Sequence, residues 1–136
     1  MLPNVLLVED NPADVELLHE AFRECAVHAT LHVSPDGCDA VGFLHRQHRH
    51  LLAPRPDLII LDLNLPKLDG QTVLQIVKHD PELRAIPVVV LSTAATPAII
   101  ARCKALSIAA YVTKPSRWED VCDSVRDIGR LLPDRA

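Results

Sequence analysis

The segment at residues 58–66 constrains the fold of this chain more than any other part of its sequence. Four apolar residues run without a polar interruption into Asp62, and Pro66 and then the Asp69-Gly70 pair end the segment. A short continuous apolar run is typical of a strand that is buried on both faces of a parallel sheet. Because ligands bind at the carboxyl ends of strands in such sheets, Asp62 is predicted to present a carboxylate at the functional edge. From this segment alone, an aspartate that only ends a strand and caps a turn remains the simpler interpretation.

Four more segments have the composition of strands, and helical patterns separate them. Residues 4–8 and 86–92 are continuous and apolar, whereas residues 29–34 alternate and therefore predict an edge strand. The fifth strand is predicted at residues 109–113, and the fifth helix carries apolar residues from Trp118 to Leu132. Turn and capping residues start the other four helices, at Asn11-Pro12, Asp36-Gly37, Asp69-Gly70 and Thr96-Pro97. This alternation predicts a doubly wound, five-stranded parallel α/β sheet with helices on both faces.

Length and composition limit the class of protein. We expect the 136 residues to form a single domain over residues 1–136, with no output domain. A net charge of −4 argues against a nucleic-acid-binding surface, and no apolar run is long enough to span a bilayer. The N-terminal residues leave no room for a secretory signal, so a reduced, cytoplasmic protein is predicted. The four cysteines form no C-x-x-C pair; they are Cys25, Cys38, Cys103 and Cys122.

Three histidines fall within residues 45–50 and raise the question of a metal site. His48 and His50 are too close in sequence to share a helix face, and no cysteine or acidic partner is expected beside them. We interpret this segment as the solvated end of the second helix and the loop that follows it.

The predicted topology brings polar side chains from four strand ends to one edge of the sheet. They are Glu9 and Asp10 after the first strand, Asp62 at the end of the third, Ser92 at the end of the fourth, and Lys114 after the fifth. Three carboxylates at one edge repel one another unless a positive charge binds there. Mg²⁺ fits such a site because it prefers oxygen ligands and needs only one or two protein carboxylates. A network of structural ion pairs around Lys114 is the plainer alternative, but it leaves the third acid uncompensated.

Four motifs stand in the order and spacing of response-regulator receiver domains. They are V-E-D-N-P, L-D-L-N-L-P-x-L-D-G, L-S-T and Y-V-T-K-P, and they cover essentially the whole chain. The chain resembles most the small single-domain regulators that are paired with phytochrome-type sensor kinases. The cues are E-D-N-P-A-D near the start and H-D-P-E-L-R-A-I-P-V-V-V-L-S-T before the fourth helix. The resemblance implies a role in two-component signalling and a flavodoxin-like strand order of 2-1-3-4-5.

The resemblance also implies how the strand-end residues would act. Asp62 would be the phosphoacceptor, taking a phosphoryl group from a histidine of a sensor kinase. Asp10, Asp62 and the backbone carbonyl of Asn64 would bind Mg²⁺ directly, and Glu9 would hold the metal through water. These roles agree with phosphoryl transfer, which depends mostly on positioning and on neutralisation of charge.

The resemblance implies that three further residues would respond to the phosphoryl group. The Ser92 hydroxyl and the Lys114 ammonium would contact its oxygens, and Tyr111 would change rotamer together with Ser92. The face formed by the fourth helix, the fifth strand and the fifth helix would report the change. The peptide bond between Lys114 and Pro115 would be cis. The protein would not be an enzyme, beyond catalysing its own phosphorylation and dephosphorylation.

Two positions depart from the pattern of the family. Leu106-Ser107-Ile108 occupies the turn before the fifth strand, where the family often has glycine, so the resemblance does not determine the conformation of this turn. Ala94 is a small residue beside the predicted mouth of the pocket, and it would leave a phosphoryl group less shielded from water.

Three alternative functions use a similar sheet. A phosphotransferase of the haloacid dehalogenase type places a second aspartate two residues after its nucleophile, where this chain has Asn64. A flavodoxin-like nucleotide binder needs a loop rich in glycine, serine or threonine after the first strand, where this chain has Glu-Asp-Asn-Pro. A pseudo-receiver that acts only as an interaction module would be favoured by loss of Asp62 or Lys114, and both are present.

The fourth helix predicts a contact with another protein molecule. It is apolar on more than one side, and the adjacent Ile99 and Ile100 cannot both point into the core because neighbours on a helix are about 100° apart. One of them is therefore expected to be exposed or peripheral. We predict a symmetric homodimer through the fourth helix, the fifth strand and the fifth helix, the face that commonly forms a two-fold dimer in the resembling family.

Overall fold

A five-stranded parallel sheet forms the centre of the protein. The structure, a computed structural model, describes residues 1–93 and 96–134. The strands are β1 (Asn4–Val8), β2 (Thr30–Ser34), β3 (Leu58–Asp62), β4 (Val88–Ser92) and β5 (Ala110–Thr113). Their order is β2-β1-β3-β4-β5, and every pair is parallel. The predicted fold class and strand order are confirmed, and the alternating strand β2 lies at an edge of the sheet as expected.

Five helices alternate with the strands of the described chain, and the last of them follows β5. They are α1 (Pro12–Glu24), α2 (Gly37–Leu44), α3 (Gly70–His79), α4 (Pro97–Ala105) and α5 (Trp118–Gly129), and a single 3-10 turn lies at His48–His50. Side chains cap the first four helices where the sequence predicts, because Asn11, Asp36, Asp69 and Thr96 accept hydrogen bonds from first-turn N–H groups. Within residues 1–93 and 96–134, no helix combines the length and the apolar character that crossing a bilayer requires.

The sheet separates two hydrophobic cores, because alternate residues of its central strands point to opposite faces. One core lies against α2, α3 and α4 and includes Ile59 and Val90. The other lies against α1 and α5 and includes Ile60 and Val89. Every side chain of β3 and β4 is buried, which explains why these strands are continuous apolar runs in the sequence.

The boundaries of the elements differ from the sequence expectation by a few residues. The strands β2, β4 and β5 begin one or two residues later than expected, and α5 ends at Gly129, although Leu132 still packs against the core. Trp118 was expected on the apolar side of α5, but it is 42% exposed. Trp118 is the first residue of α5, and a helical side chain covers the turn N-terminal to its own Cα. The Trp118 side chain therefore lies beyond the sheet.

The histidines after α2 have acidic partners, so the expectation that they would have none was wrong. His50 Nε2 lies 2.9 Å from Asp39 Oδ1, and His45 Nε2 lies 3.1 Å from Asp80 Oδ2. The fold supplies these carboxylates, since Asp39 lies on α2 and Asp80 follows α3. The segment is solvated as expected over residues 45–49, which are all exposed, whereas only 11% of the His50 side chain is exposed. In the described part of the chain these histidines belong to no group of three metal-ligating side chains.

Two glycines allow the loops at the carboxyl edge of the sheet to approach one another. A Cβ atom on Gly70 would overlap the carbonyl oxygen of Asp62 and would lie 2.5 Å from the Cα of Leu63. A Cβ atom on Gly37 would overlap the backbone of Leu68. Gly70 and Gly37 are the first residues of α3 and α2, so each helix can start directly against the loop that follows β3.

We expect the substitution Gly70→Ala to lower the free energy of unfolding by about 1–3 kcal/mol, because the backbone of β3 must move to admit the methyl group. Urea denaturation monitored by circular dichroism measures this change.

Gly42→Ala provides the control, since the nearest atom to its Cβ would be His48 Cδ2 at 3.6 Å. Gly42 lies inside α2, where alanine is favoured over glycine by about 0.5–1 kcal/mol. Equal stability of Gly70→Ala and the wild type would show that the close approach at β3 is unimportant.

Candidate functional site

The carboxyl ends of β1, β3, β4 and β5 meet at one edge of the sheet, as predicted. The register pairs Asp62 of β3 with Leu91 of β4, and Ser92 of β4 with Thr113 of β5, so the strands end at nearly the same height. Glu9, Asp62 and Ser92 are 2%, 4% and 0% exposed. A buried charge is costly unless it is paired, so this edge requires a compensating positive charge.

The ammonium group of Lys114 supplies that charge. Its Nζ lies 2.9 Å from Asp62 Oδ2, 2.9 Å from Asp14 Oδ2 and 2.8 Å from Glu9 Oε2. The backbone N–H of Lys114 donates a hydrogen bond to the carbonyl oxygen of Ser92, which holds the residue beside the end of β4. Only 16% of the Lys114 side chain is exposed, so its three ion pairs lie partly out of water.

The pKa shifts in this cluster show how the charges balance. Burial lowers the pKa of Lys114, but its contacts with Glu9, Asp14 and Asp62 outweigh burial and raise it above its usual value. Burial raises the pKa of Glu9 to about 7, against the lowering effects of Lys114 and of the Asn11 backbone N–H. Lys114 is therefore charged at all physiological pH values, whereas Glu9 exchanges a proton close to neutral pH.

Glu9, Asp10 and Asp62 form an acidic cluster whose ligand oxygens all lie within 4.8 Å of one another. Glu9 Oε2 is buried, and the Lys114 ammonium that lies 2.8 Å from it is shared with Asp14 and Asp62. One ammonium cannot balance all the carboxylates at this edge, so the cluster keeps an excess of negative charge. A hard divalent cation prefers such oxygen ligands, so the residues present fit a divalent metal.

The sequence analysis did not identify Asp14 as part of this site. Asp14 lies in the first turn of α1, and its carboxylate reaches Lys114, which is 100 positions away in the sequence. The only indication in the sequence was that Asp14 is the last residue of the E-D-N-P-A-D motif. An acidic residue in a first helical turn is common because it complements the helix dipole, so this position alone does not indicate a functional role.

The structure places the other predicted residues on β4 and β5 and in the loop after β3. Ser92 is fully buried at the end of β4, and Tyr111 is half-buried on β5, where it pairs in register with Val90 of β4. The backbone N–H of Asn64 donates a hydrogen bond of 3.0 Å to Asp62 Oδ1, which orients the carboxylate. The switch roles of Ser92 and Tyr111, and the metal role of the Asn64 carbonyl, stay predictions.

Two backbone features near the site complete the comparison with the sequence analysis. The peptide bond between Lys114 and Pro115 is trans, so the implied cis bond is not found. The trans form is favoured for X-Pro bonds by about 0.5–1 kcal/mol, and Lys114 reaches its three carboxylates with this bond trans. Ser107 has a φ of 59°, so the turn before β5 uses the left-handed conformation that glycine adopts most easily. Ala94 lies outside the described residues.

The response regulator receiver domain model matches residues 5–126. This chain belongs to the response regulator receiver family. It is 40% identical over 124 residues to the response regulator Rcp1 of Synechocystis sp. (strain ATCC 27184 / PCC 6803 / Kazusa), covering 91% of this chain and 84% of that protein. It is 37% identical over 124 residues to the probable methanogenesis regulatory protein FilR2 of Methanothrix harundinacea (strain 6Ac), covering 91% of this chain and 79% of that protein.

Solved structures of similar receivers have the same fold. The phosphorylated cyanobacterial phytochrome response regulator RcpA is 38% identical, with a TM-score of 0.90 over 100% of this chain and 97% of that chain. The Mn²⁺-bound form of Rcp1 is 37% identical, with a TM-score of 0.89 over 98% of this chain and 97% of that chain. The family predicted from the motifs is confirmed, as is the likeness to phytochrome response regulators.

We expect Asp10→Asn to stabilise this receiver when a chelator is present. Asp10 is exposed and belongs to the acidic cluster, but the described ion pairs of Lys114 do not include it. Removing the charge of Asp10 relieves repulsion without breaking an ion pair. We expect this to raise the free energy of unfolding by about 1 kcal/mol. Thermal unfolding in the presence of a chelator measures this gain.

The same variant should lose the rise in unfolding temperature that Mg²⁺ produces in the wild type, because a ligand that binds only the folded state stabilises it. Asp69→Asn is the control, since Asp69 is exposed and caps α3, where asparagine caps equally well. If Asp10→Asn and the wild type respond equally to Mg²⁺, the acidic cluster does not bind the metal.

Proposed function

We propose that this receiver accepts a phosphoryl group on Asp62 from a histidine of a sensor kinase and signals through a change in its α4–β5–α5 face. The observation that carries the proposal is the 2.9 Å ion pair between Asp62 and Lys114 inside the acidic cluster. Phosphoryl transfer requires a positioned acceptor oxygen and a fixed positive charge beside it. Asp62 and Lys114 provide both at the end of a buried strand.

The transfer exchanges one bond to phosphorus for another. A carboxylate oxygen of Asp62 forms the new bond, and the bond from phosphorus to the histidine nitrogen of the kinase breaks, leaving its electron pair on nitrogen. Lys114 stabilises the charge on the phosphoryl oxygens, because its ammonium already lies beside the accepting carboxylate. Asp10, Asp62 and the Asn64 carbonyl, with Glu9 through water, would hold Mg²⁺, which when bound supplies further positive charge to these oxygens.

Ser92 and Tyr111 would carry the change towards the surface. A phosphoryl group on Asp62 adds negative charge and acceptor oxygens at the end of β3. Ser92 ends the neighbouring strand β4, so its hydroxyl can donate to one of those oxygens. Tyr111 lies half-buried on β5 and would follow the movement of Ser92 by changing rotamer. The existence of a phosphorylated form of the similar RcpA supports this sequence of events.

The relatives support the proposed partner and metal. RcpA is a phytochrome response regulator, so we propose a phytochrome-type histidine kinase as the phosphodonor. Rcp1 has a Mn²⁺-bound form, and we propose Mg²⁺ as the metal of this chain because its ligands are all oxygens. Catalysis would be limited to the chain's own phosphorylation and dephosphorylation. The single-domain organisation over residues 1–136 and the cytoplasmic location stay predictions from the sequence.

The comparisons favour none of the alternative functions. A dehalogenase-type phosphotransferase requires an acid two residues after its nucleophile, and Asn64 instead orients Asp62 through its backbone N–H. A pseudo-receiver does not need a buried acidic cluster with a charged lysine, whereas a phosphoacceptor does.

Asp62→Asn should abolish phosphorylation, because the amide is nearly isosteric but is a far weaker nucleophile. After incubation with Mg²⁺ and a small acyl phosphate donor, intact mass spectrometry should show one added phosphoryl group on the wild type and none on the variant. Asp69→Asn, an exposed aspartate in the loop after β3, is the control and should be phosphorylated normally. A stable phosphoryl group on the Asp62→Asn protein would rule out the proposed acceptor.

Asp14→Asn should make the receiver accept phosphate faster. The substitution removes one of the three carboxylates on Lys114 and makes the site less negative towards an anionic donor. We expect the initial rate of phosphorylation to rise on the order of three- to tenfold. Glu16→Gln, an exposed neutralisation on the same helix, should leave the rate unchanged. An unchanged or slower rate for Asp14→Asn would mean that Asp14 does not restrain Lys114.

We also propose that the α4–β5–α5 face forms a symmetric homodimer. Ile99 packs against the core beneath α4, whereas Ile100 is half-buried and belongs to neither core cluster of the described residues. Small apolar residues on the same helix are exposed, namely Ala98, Ala101 and Ala105. The expectation that one of the two isoleucines is peripheral agrees with Ile100.

Ile100→Glu should give a monomer that still accepts phosphate on Asp62. Sedimentation velocity of phosphorylated and unphosphorylated protein measures the change. Leu52→Glu is the control, since Leu52 is 98% exposed in the loop before β3, and its association state should match that of the wild type. A wild-type protein that is monomeric at high concentration in both forms would rule out the dimer.

A further inference from the structure

Two of the four cysteines meet where α1 packs beside α5. Cys25 is the residue at the C-terminal cap of α1, and Cys122 lies within α5. The Cys25 thiol donates a hydrogen bond of 3.8 Å to the backbone carbonyl oxygen of Cys122, across 97 positions of sequence. The contact places a thiol of one helix directly against the backbone that carries the other thiol.

The Cys25 thiol also influences the Cys122 thiol. Burial raises the pKa of the Cys122 thiol, and a hydrogen bond and charge from Cys25 raise it further. This direction agrees with the contact between the Cys25 thiol and the Cys122 backbone. Both cysteines are free thiols in this structure.

The two thiols differ in their access to solvent. Cys25 is half-buried and lines an open cavity of about 580 Å³ together with Pro3, Val27 and Gly129. Cys122 is only 7% exposed. A small oxidant therefore reaches Cys25 first, and Cys122 lies behind it.

The cavity that Cys25 lines is separate from the acidic cluster. Pro3 lines the same cavity and immediately precedes β1, so the cavity is at the amino edge of the sheet, whereas Asp62 ends β3 at the carboxyl edge. A disulfide between Cys25 and Cys122 forms no bond to the residues that would hold a metal or a phosphoryl group, and the inference does not rest on the proposed function.

We propose that Cys25 and Cys122 form a reversible intramolecular disulfide that locks α1 to α5 when the protein meets a peroxide. The Cys25 thiolate attacks one peroxide oxygen, the O–O bond breaks, and the leaving hydroxide takes a proton to become water, which leaves Cys25 as a sulfenic acid. The Cys122 thiolate then attacks that sulfur, the S–O bond breaks, and a second water leaves as the S–S bond forms. Two thiols thus lose two electrons in total to one peroxide, and an external dithiol reverses the change.

The plainer interpretation is that both cysteines are only small apolar residues of the interior. The other two cysteines distinguish the interpretations, because they lie on the opposite face of the sheet. Cys103 is 1% exposed in the core beneath α4, and Cys38 is exposed at the start of α2. Cys38 can form disulfides between molecules, so Cys38→Ser is the background for the test.

The test treats the Cys38→Ser protein with hydrogen peroxide, then denatures it in the presence of an alkylating reagent and measures its intact mass. We expect the oxidised protein to lose two hydrogen atoms and to take up one alkyl group, on Cys103, instead of the three that its reduced form takes up. Proteolysis should then yield one peptide pair joined through Cys25 and Cys122. The oxidised protein should unfold at a higher temperature than the reduced one, because the disulfide closes a long loop of the unfolded chain, and dithiothreitol should reverse the shift.

Adding Cys25→Ser or Cys122→Ala should abolish the crosslink and the thermal shift, whereas adding Cys103→Ala should leave both in place. Three alkylated thiols after peroxide treatment would overturn the proposal. It would also be overturned by conversion of Cys25 to a sulfinic acid while Cys122 stays free, or by a crosslink that includes Cys103. These outcomes are read on the Cys38→Ser protein itself, so they do not depend on the folding of the added variants.

Discussion

The ion pairs of one ammonium group with three carboxylates are the interaction on which the site of this receiver depends. Lys114 Nζ lies within 2.9 Å of oxygens of Glu9, Asp14 and Asp62, and Asp10 adds a fourth negative group beside them. One permanent positive charge cannot neutralise four carboxylates, and burial makes the deficit more severe. The site is therefore suited to a divalent cation, and in the proposed function it has a lysine that can shift from carboxylates to a phosphoryl group.

Parallel topology is what makes this concentration of charge possible. Every strand ends at the same edge of the sheet, so residues that end β3 or follow β1 and β5 become neighbours. Gly70 brings the start of α3 directly against the end of β3, and the Asn64 N–H holds one Asp62 oxygen while Lys114 holds the other. The acceptor carboxylate is thus oriented by both its own loop and a distant strand.

The two edges of the sheet have different chemical character. The carboxyl edge is acidic and buried, whereas the amino edge has an apolar cavity that exposes Cys25 beside Cys122. Helix α1 runs between the two edges, because Asp14 lies in its first turn at the acidic cluster and Cys25 lies at its C-terminal cap, against the backbone of Cys122. A crosslink between the two cysteines would restrict α5, a helix of the proposed signalling face, without forming a bond to the residues of the acidic cluster.

Much of this protein could be predicted from the sequence because the relevant information is local. Apolar periodicity and capping residues determined the strands, the helices and the strand-end positions of Glu9, Asp62, Ser92 and Lys114, since each depends on near neighbours in the chain. Only the tertiary structure decided the contacts of Asp14 with Lys114 and of Cys25 with Cys122, which join residues 100 and 97 positions apart. Such contacts depend on how helices pack against one another and against the sheet, and a periodic pattern specifies which face of a helix is buried but not which side chains meet across it.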